Sequence, residues 1–262
     1  MHYEWIGDRE PFLDEISVNK IGNIHVGRFG GSTENGATKN EDALFILKGE
    51  DQEWTLAVIL DAHNSTESSR IILELFKNNR AVLSEICTSN RAFRDLEPYI
   101  LRLLSEESFK AKCKAVTGET SCLICFQFGS YIWWLSIGDC MAFLFHPELA
   151  KFSQFGLNQR QFYEWIGEVN TFELSVPCYV SGRRQLRKDT NLIVLITDGV
   201  FEYEDGYYEN HRNLYNRFFN GMKMEENIDL ILRDLLNDHV KDSTTIISWQ
   251  VINKQPVQYP SD

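Results

Sequence analysis

The sequence lacks an apolar run long enough to cross a bilayer, which takes about 18–20 consecutive residues. The longest candidate, residues 121–137, is interrupted by Gln127, Gly129 and Ser130. The first residues, beginning with Met1 and His2, are polar and aromatic, without the basic and then apolar order of a secretory signal. We therefore expect a cytoplasmic protein with no membrane partner.

The sequence is also poor in basic residues relative to acidic ones. The chain has 26 Lys and Arg against 38 Asp and Glu, a formal net charge of −12 and a pI near 5.0. A surface of this sign repels polyanions. It argues against nucleic acid as the main partner, and we expect a monomeric protein that acts on other molecules.

The cysteines do not form a metal-binding pattern. Only Cys122 and Cys125 have C-x-x-C spacing, and no second pair completes a zinc ribbon. Their setting is typical of a strand, where residues three apart point to opposite faces. We expect reduced, buried thiols that pack as small apolar groups.

Apolar runs alternate between strand and helix character along the 262 residues, without a linker or an internal repeat. We predict one domain over residues 1–262, with a core at about 20–252 and a loose tail at 255–262. The predicted strands are 21–28, 43–47, 55–60, 121–128, 131–137, 141–145, 172–175, 192–197 and 244–251. Helices are predicted near 65–76, 89–104, 158–166, 214–219 and 228–236.

Four aspartates stand where predicted strands begin or end: Asp42, Asp61, Asp198 and Asp242. An aspartate at such a place is by itself usually a turn residue or a helix cap. Carboxylates gathered at one end of a sheet, however, repel each other unless a cation holds them together. Hard oxygen ligands select Mg²⁺ or Mn²⁺ rather than Zn²⁺. The pattern therefore predicts a metal-dependent hydrolase.

Six short segments, in order, resemble the pattern of the type 2C metal-dependent protein phosphatases, a family of serine/threonine phosphatases with bacterial members. The segments are Asn40-Glu41-Asp42, Asp61-Ala62-His63, Gly118-Glu119-Thr120, Gly138-Asp139-Cys140, Asp198-Gly199 and Asp242-Ser243-Thr244-Thr245. The resemblance implies an α+β fold, a four-layer α/β/β/α sandwich of two antiparallel sheets flanked by helix pairs.

The resemblance also implies a site for two Mg²⁺ or Mn²⁺ ions. Asp61 would bridge both, Asp198 and Asp242 would complete the first, and the carbonyl of Ala62 would bind the second. Glu41 and Asp42 would act there through bound water.

Two further roles follow from the same resemblance. His63 would be the general acid for the leaving group, and Asp139 matches the position of a third, weaker metal. The implied reaction is hydrolysis of phosphoserine or phosphothreonine in proteins by a metal-activated water.

The sequence departs from the family at two places that concern the site. Ala62 stands where the family has glycine, and Ala37 falls near an expected phosphate-binding arginine. Lys39, Arg28 or Arg70 could substitute for that arginine. These departures leave two alternatives open, a pseudophosphatase that binds a phosphoprotein without cleaving it and a phosphatase of small phosphorylated metabolites.

Overall fold

A computed structural model describes residues 1–49 and 54–256 of the chain. Its strands are β1 (His2–Ile6), β2 (Ile16–Ile21), β3 (Ile24–Phe29), β4 (Asp42–Lys48), β5 (Trp54–His63), β6 (Glu119–Phe128), β7 (Tyr131–Ile137), β8 (Met141–Phe145), β9 (Ile166–Gly167), β10 (Val180–Gln185), β11 (Asp189–Ile196) and β12 (Thr244–Asn253). The α-helices are α1 (Glu67–Asn78), α2 (Arg80–Thr88), α3 (Ala92–Ser105), α4 (Glu107–Cys113), α5 (Pro147–Ala150), α6 (His211–Phe218) and α7 (Met224–Asn237).

The strands form two sheets in which every paired strand is antiparallel. The first sheet has the order β1-β4-β5-β6-β7-β10, and the short β9 pairs with β6. The second sheet has the order β2-β3-β12-β11-β8. The middle of β5, residues 56–60, is wholly apolar and buried, as expected for a central strand covered on both faces.

Three buried apolar clusters fill the interfaces between four layers. The first cluster joins α1–α4 to the outer face of the first sheet, as in the contact of Phe76 with Phe45. The second lies between the sheets and includes Ile59 and Trp249. The third joins α6 and α7 to the second sheet, with Ile228 fully buried. The predicted fold class, a four-layer sandwich of two antiparallel sheets, is confirmed.

More helices cover the first sheet than the pair that was predicted. The chain breaks after α1 at Asn79 and after α3 at Glu106, which gives four helices, α1–α4, in place of the two that were predicted. The sandwich also includes residues before the predicted core, because β1 pairs with β4 and β2 pairs with β3.

Two predictions for the segment after β8 were wrong. The predicted helix at 158–166 is irregular, because the Asn158 side chain accepts from the backbone N–H of Ala142 and donates to the carbonyl of Cys140. The predicted strand at 172–175 is a 3₁₀ turn, Thr171–Glu173, whose N-terminus is capped by the Asn170 side chain. Local side-chain bonds to the backbone decide both conformations.

Among residues 1–49 and 54–256, no helix has both the length and the apolar character needed to cross a membrane. All six cysteines are free, and five of them are buried. Most of the tail predicted at 255–262, namely residues 257–262, lies outside the described part of the chain.

Candidate active site

The four aspartates singled out in the sequence converge at one end of the sandwich. Asp42 lies opposite Asp61 in the pairing of β4 with β5. Asp198 follows β11 and Asp242 precedes β12, and β11 and β12 are neighbours. Asp61 lies within electrostatic range of the other three and of Asp139.

Asp42 forms the floor of this cluster. Its side chain is fully buried, and it accepts hydrogen bonds from the hydroxyls of Thr197, Ser243 and Thr245 at 3.1, 3.0 and 2.7 Å. Burial raises the pKa of Asp42 to about 7, although the three hydroxyls oppose that rise. Both of its oxygens are engaged by protein donors, so Asp42 ties β4 to the two segments that carry Asp198 and Asp242.

Asp61, Asp139 and Asp198 form the centre of the cluster. Each contributes one carboxylate oxygen to a group whose members lie within 4.8 Å of one another. Oδ2 of Asp61 and Oδ1 of Asp139 are buried and have no hydrogen-bond partner among the described residues. Buried polar atoms are almost always paired, and a bound cation would satisfy these two orphaned carboxylate oxygens.

The electrostatics of the cluster lead to the same conclusion. Burial, followed by the charge of Asp198, raises the pKa of Asp61 well above its ordinary value. The same two causes, in the same order, raise the pKa of Asp139 and raise that of Asp242 to about 8. Carboxyl groups that resist ionisation next to one another become stable anions when a divalent cation is present.

The residues present therefore fit a hard divalent cation. The donors of the three-residue cluster are carboxylate oxygens, and no thiol or imidazole belongs to it. Such a set is typical of Mg²⁺ or Mn²⁺.

Ala62 occupies the family's glycine position without strain. It is a regular residue of β5, paired with Thr120 of β6, and its φ is not positive. An alanine is therefore compatible with this backbone. A glycine is required instead at Gly199, where a Cβ would lie 2.3 Å from the carbonyl oxygen of Ser243. That close approach brings the segment after Asp198 against the start of β12.

Arg160 is a site residue that the sequence did not reveal. Its guanidinium lies 2.9 Å from Oδ2 of Asp198 and packs over the rings of Phe162 and Phe201. Arg160 comes from the irregular segment after β8, which carries no motif and was predicted as a helix. Only the folding of that segment over the aspartates brings the arginine to Asp198.

The rim of the site contains Lys39, Glu41 and His63. The Lys39 ammonium donates to Oε1 of Glu41 at 2.8 Å and to the carbonyl of Asn64 at 2.7 Å. His63 is exposed at the end of β5, and its ring meets the Trp165 indole with centroids 4.8 Å apart. Beside the rim lies a cavity of about 350 Å³. Its lining is Gly36, Ala37, Thr38, Lys39, Glu41, Glu202, Lys241, Asp242 and Ser243.

Arg28 was a wrong choice as a phosphate-binding residue. Its side chain is only 1% exposed, donates to the Tyr3 and Ser17 hydroxyls, and packs over the rings of Trp5 and Phe12. All of these contacts lie on β1, β2 and the turn between them, and hold the guanidinium inside the fold. The sequence showed only the charge of Arg28, and its partners are set by tertiary packing.

Arg70 is also engaged, because its guanidinium pairs with Asp8. Lys39 does reach the site, and Lys241 is a second cation at the same cavity that the sequence analysis missed. Its place directly before Asp242 in the chain was the available signal.

No protein-family model matches this sequence, and no curated protein matches it significantly. Solved structures do match its fold. A bacterial serine phosphatase is 15% identical, with a TM-score of 0.64 over 88% of this chain and 98% of that protein. Stp1, a serine/threonine phosphatase from Staphylococcus aureus, is 15% identical, with a TM-score of 0.60 over 90% of this chain and 94% of that protein.

RsbX, solved in complex with magnesium, is 16% identical, with a TM-score of 0.58 over 90% of this chain and all of that protein. At this level of identity the likeness concerns the fold. Together with the converging aspartates, it confirms the resemblance seen in the sequence: this chain has the fold of the type 2C serine/threonine phosphatases.

Proposed function

We propose that this protein is a Mg²⁺- or Mn²⁺-dependent phosphatase that hydrolyses phosphoserine and phosphothreonine in other proteins. The observation that supports it most directly is the pair of orphaned, buried oxygens on Asp61 and Asp139 inside a cluster of carboxyl groups. The phosphatase fold of the matching structures adds the reaction class.

The metal ligands are proposed on the residues that converge. Asp61, Asp198 and Asp242 would hold one ion, and Asp61 with the carbonyl of Ala62 would hold a second. Asp139 would hold a third, weaker ion. Bound divalent cations supply a nucleophilic water near neutral pH and offset negative charge on the phosphate.

The remaining steps belong to side chains. Lys39 and Lys241 would bind the phosphate oxygens from the cavity at the rim. As water attacks phosphorus, the bond to the seryl or threonyl oxygen breaks, and His63 would give that oxygen its proton. The products are inorganic phosphate and the free hydroxyl. General-acid catalysis of this kind typically contributes about 10²–10⁴-fold.

The first experiment measures turnover of p-nitrophenyl phosphate and of a phosphothreonine peptide with Mn²⁺, with and without EDTA, while bound metal is counted per chain. We expect activity that EDTA abolishes. Asp61→Asn should remove both activity and bound metal in a folded protein. Asp95→Asn is the matched control, because Asp95 lies on α3 and pairs with Arg94 at the surface. Full activity in Asp61→Asn would refute the proposed site.

A second candidate function has a specific observation behind it. Arg160 pairs with Oδ2 of Asp198, a proposed metal ligand, and Ala37 falls near the place where the sequence pattern led us to expect a phosphate-binding arginine. A pseudophosphatase that holds a phosphoprotein would show this arrangement. It would bind a phosphopeptide at saturating Mn²⁺ without turnover, and Arg160→Ala would increase the amount of bound metal.

The substrate class can be tested with the same assays. A phosphatase of small metabolites would turn over a metabolite panel faster than phosphopeptides, and the same assays separate the two. The free cysteines are compatible with the cytoplasm. We also propose that the protein is a monomer and that its partner is a phosphoprotein substrate.

A further inference from the structure

His63, the proposed general acid, has little to hold its ring in place. Its side chain is exposed at the end of β5, its ring nitrogens make no hydrogen bond within residues 1–49 and 54–256, and Asp139 interacts with it only through charge. A general acid must bring one nitrogen to about 2.6–3.2 Å from the oxygen that it protonates. An exposed imidazole that rotates freely spends only part of its time in that position.

The ring that contacts His63 belongs to Trp165. The two centroids are 4.8 Å apart and the ring planes meet at 77°, which is an edge-to-face contact. This arrangement is the preferred geometry for two aromatic rings, because the positive edge of one meets the negative face of the other. Rotation of the imidazole would break the contact, so the indole restricts the orientation of the acid.

The backbone next to Trp165 is held by the strands that carry the candidate site. The adjoining strand β9 pairs with the start of β6, and β6 pairs with the end of β5, so Gly167, Glu119 and His63 lie side by side on three strands. The carbonyl of Trp165 also accepts from the backbone N–H of Thr171 at 2.9 Å.

Gly167 makes this close placement possible. A Cβ at this position would lie 2.4 Å from the carbonyl oxygen of Gly118, and its φ of +152° is one that other residues rarely adopt. The next residue, Glu168, donates its N–H to the same carbonyl at 2.9 Å. The segment is therefore held against β6 immediately after Trp165.

We propose that Trp165 is a positioning residue for the reaction: its indole fixes the orientation of the His63 ring for protonation of the leaving oxygen. This role rests on the proposed phosphatase function. It also predicts which substrates depend on Trp165. Seryl and threonyl oxygens are poor leaving groups that need a proton, whereas nitrophenolate departs without one.

The test compares Trp165→Ala, Trp165→Phe and the matched control Tyr163→Ala. Tyr163 is an aromatic residue on the same segment that is 94% exposed. For Trp165→Ala we expect kcat on a phosphothreonine peptide to fall about tenfold, with KM unchanged and turnover of p-nitrophenyl phosphate within about twofold. Trp165→Phe should keep most of the peptide activity, since a phenyl ring can make the same edge-to-face contact.

A double variant ties the effect to the acid. If Trp165 acts through His63, adding Trp165→Ala to His63→Ala should cause no further loss of peptide turnover. Equal losses on both substrates, additive losses in the double variant, or the same loss in Tyr163→Ala would overturn the proposal.

A measurement independent of activity separates this inference from the proposed function. The indole ring current should shift the His63 ring protons in the NMR spectrum of the wild-type protein, and Trp165→Ala should return them to random-coil values. If the His63 protons are shifted but the protein shows no turnover, the contact with Trp165 exists and the proposed phosphatase function is refuted. Unshifted His63 protons in the wild-type protein would refute the positioning role, whatever the activity.

Discussion

The alanine in place of the family's glycine gives a sharp test of how the site is built. If Ala62 is an unstrained strand residue, as its pairing with Thr120 and its φ indicate, then Ala62→Gly should not improve metal binding. It should instead weaken the fold. The Ala62 side chain is only 4% exposed, so the substitution removes a buried methyl group.

The magnitude follows from two terms. Loss of one buried methyl group costs about 0.8 kcal/mol. A glycine inside a strand costs roughly a further 0.5–1 kcal/mol, because more backbone freedom is lost on folding. Together they lower the free energy of unfolding by about 1–2 kcal/mol, which in a domain of this size lowers Tm by about 2–4 °C.

The assay is thermal unfolding of metal-free protein, combined with Mn²⁺ titration of p-nitrophenyl phosphate turnover. Ala57→Gly is the matched control. Ala57 lies on the same strand, is fully buried, and pairs with Cys125 away from the aspartates. Both variants should lose the same stability, and both should keep the wild-type Mn²⁺ dependence. A rise in Tm for Ala62→Gly, or a tenfold gain in apparent Mn²⁺ affinity, would show that alanine strains the site and would refute this reasoning.

Three further predictions concern charge at the site. Asp61→Asn should raise the Tm of the metal-free protein while abolishing turnover, because one of several mutually repelling carboxyl groups is removed; a lower Tm in EDTA would contradict the repulsion. The pKa of Asp242 is about 8 in the folded protein and near 3.8 when unfolded, so the stability it contributes at acid pH is lost as pH rises through 8. At up to about 1.4 kcal/mol per pH unit, Asp242 alone should make metal-free protein roughly 2–3 kcal/mol less stable at pH 7.5 than at pH 5.5. In urea unfolding, Asp242→Asn should remove that part of the pH dependence, and excess Mg²⁺ should reduce it. Lys39→Ala and Lys241→Ala should each weaken inhibition by inorganic phosphate about 10–150-fold, the value of one charge-assisted hydrogen bond, whereas Lys254→Ala, at an exposed position outside the cavity, should not change it.

The adjacent tryptophans of β7 show what strand alternation can and cannot predict. Trp133 packs in the helix-facing cluster and Trp134 in the cluster between the sheets, as the period of two requires. The same reasoning located most of the strands. The helix predicted at 158–166 and the strand predicted at 172–175 were wrong, because hydrogen bonds with the Asn158 and Asn170 side chains decide the backbone there.

In the candidate site, too, the sequence predicted some residues correctly and others wrongly. Motif order along the chain was enough to select Asp61, Asp198 and Asp242, and the fold brings them together. It was not enough to separate Lys39, which reaches the cavity, from Arg28, which is buried among aromatic rings. Charge and position in the sequence are similar for both, and only their tertiary contacts differ.

The sequence alone determined most of the strands and the identity of the carboxyl groups at their ends, because apolar patterns and short motifs are local properties of the chain. The two-sheet architecture followed from the family resemblance that those motifs carry. The tertiary structure decided which of those groups have free oxygens. Asp42 is saturated by hydroxyls from residues 197, 243 and 245, whereas Asp61 keeps an unpaired oxygen. It also decided that Arg160 meets Asp198 and that Trp165 meets His63. Contacts between segments tens of residues apart depend on how sheets and loops pack, and no local pattern records them.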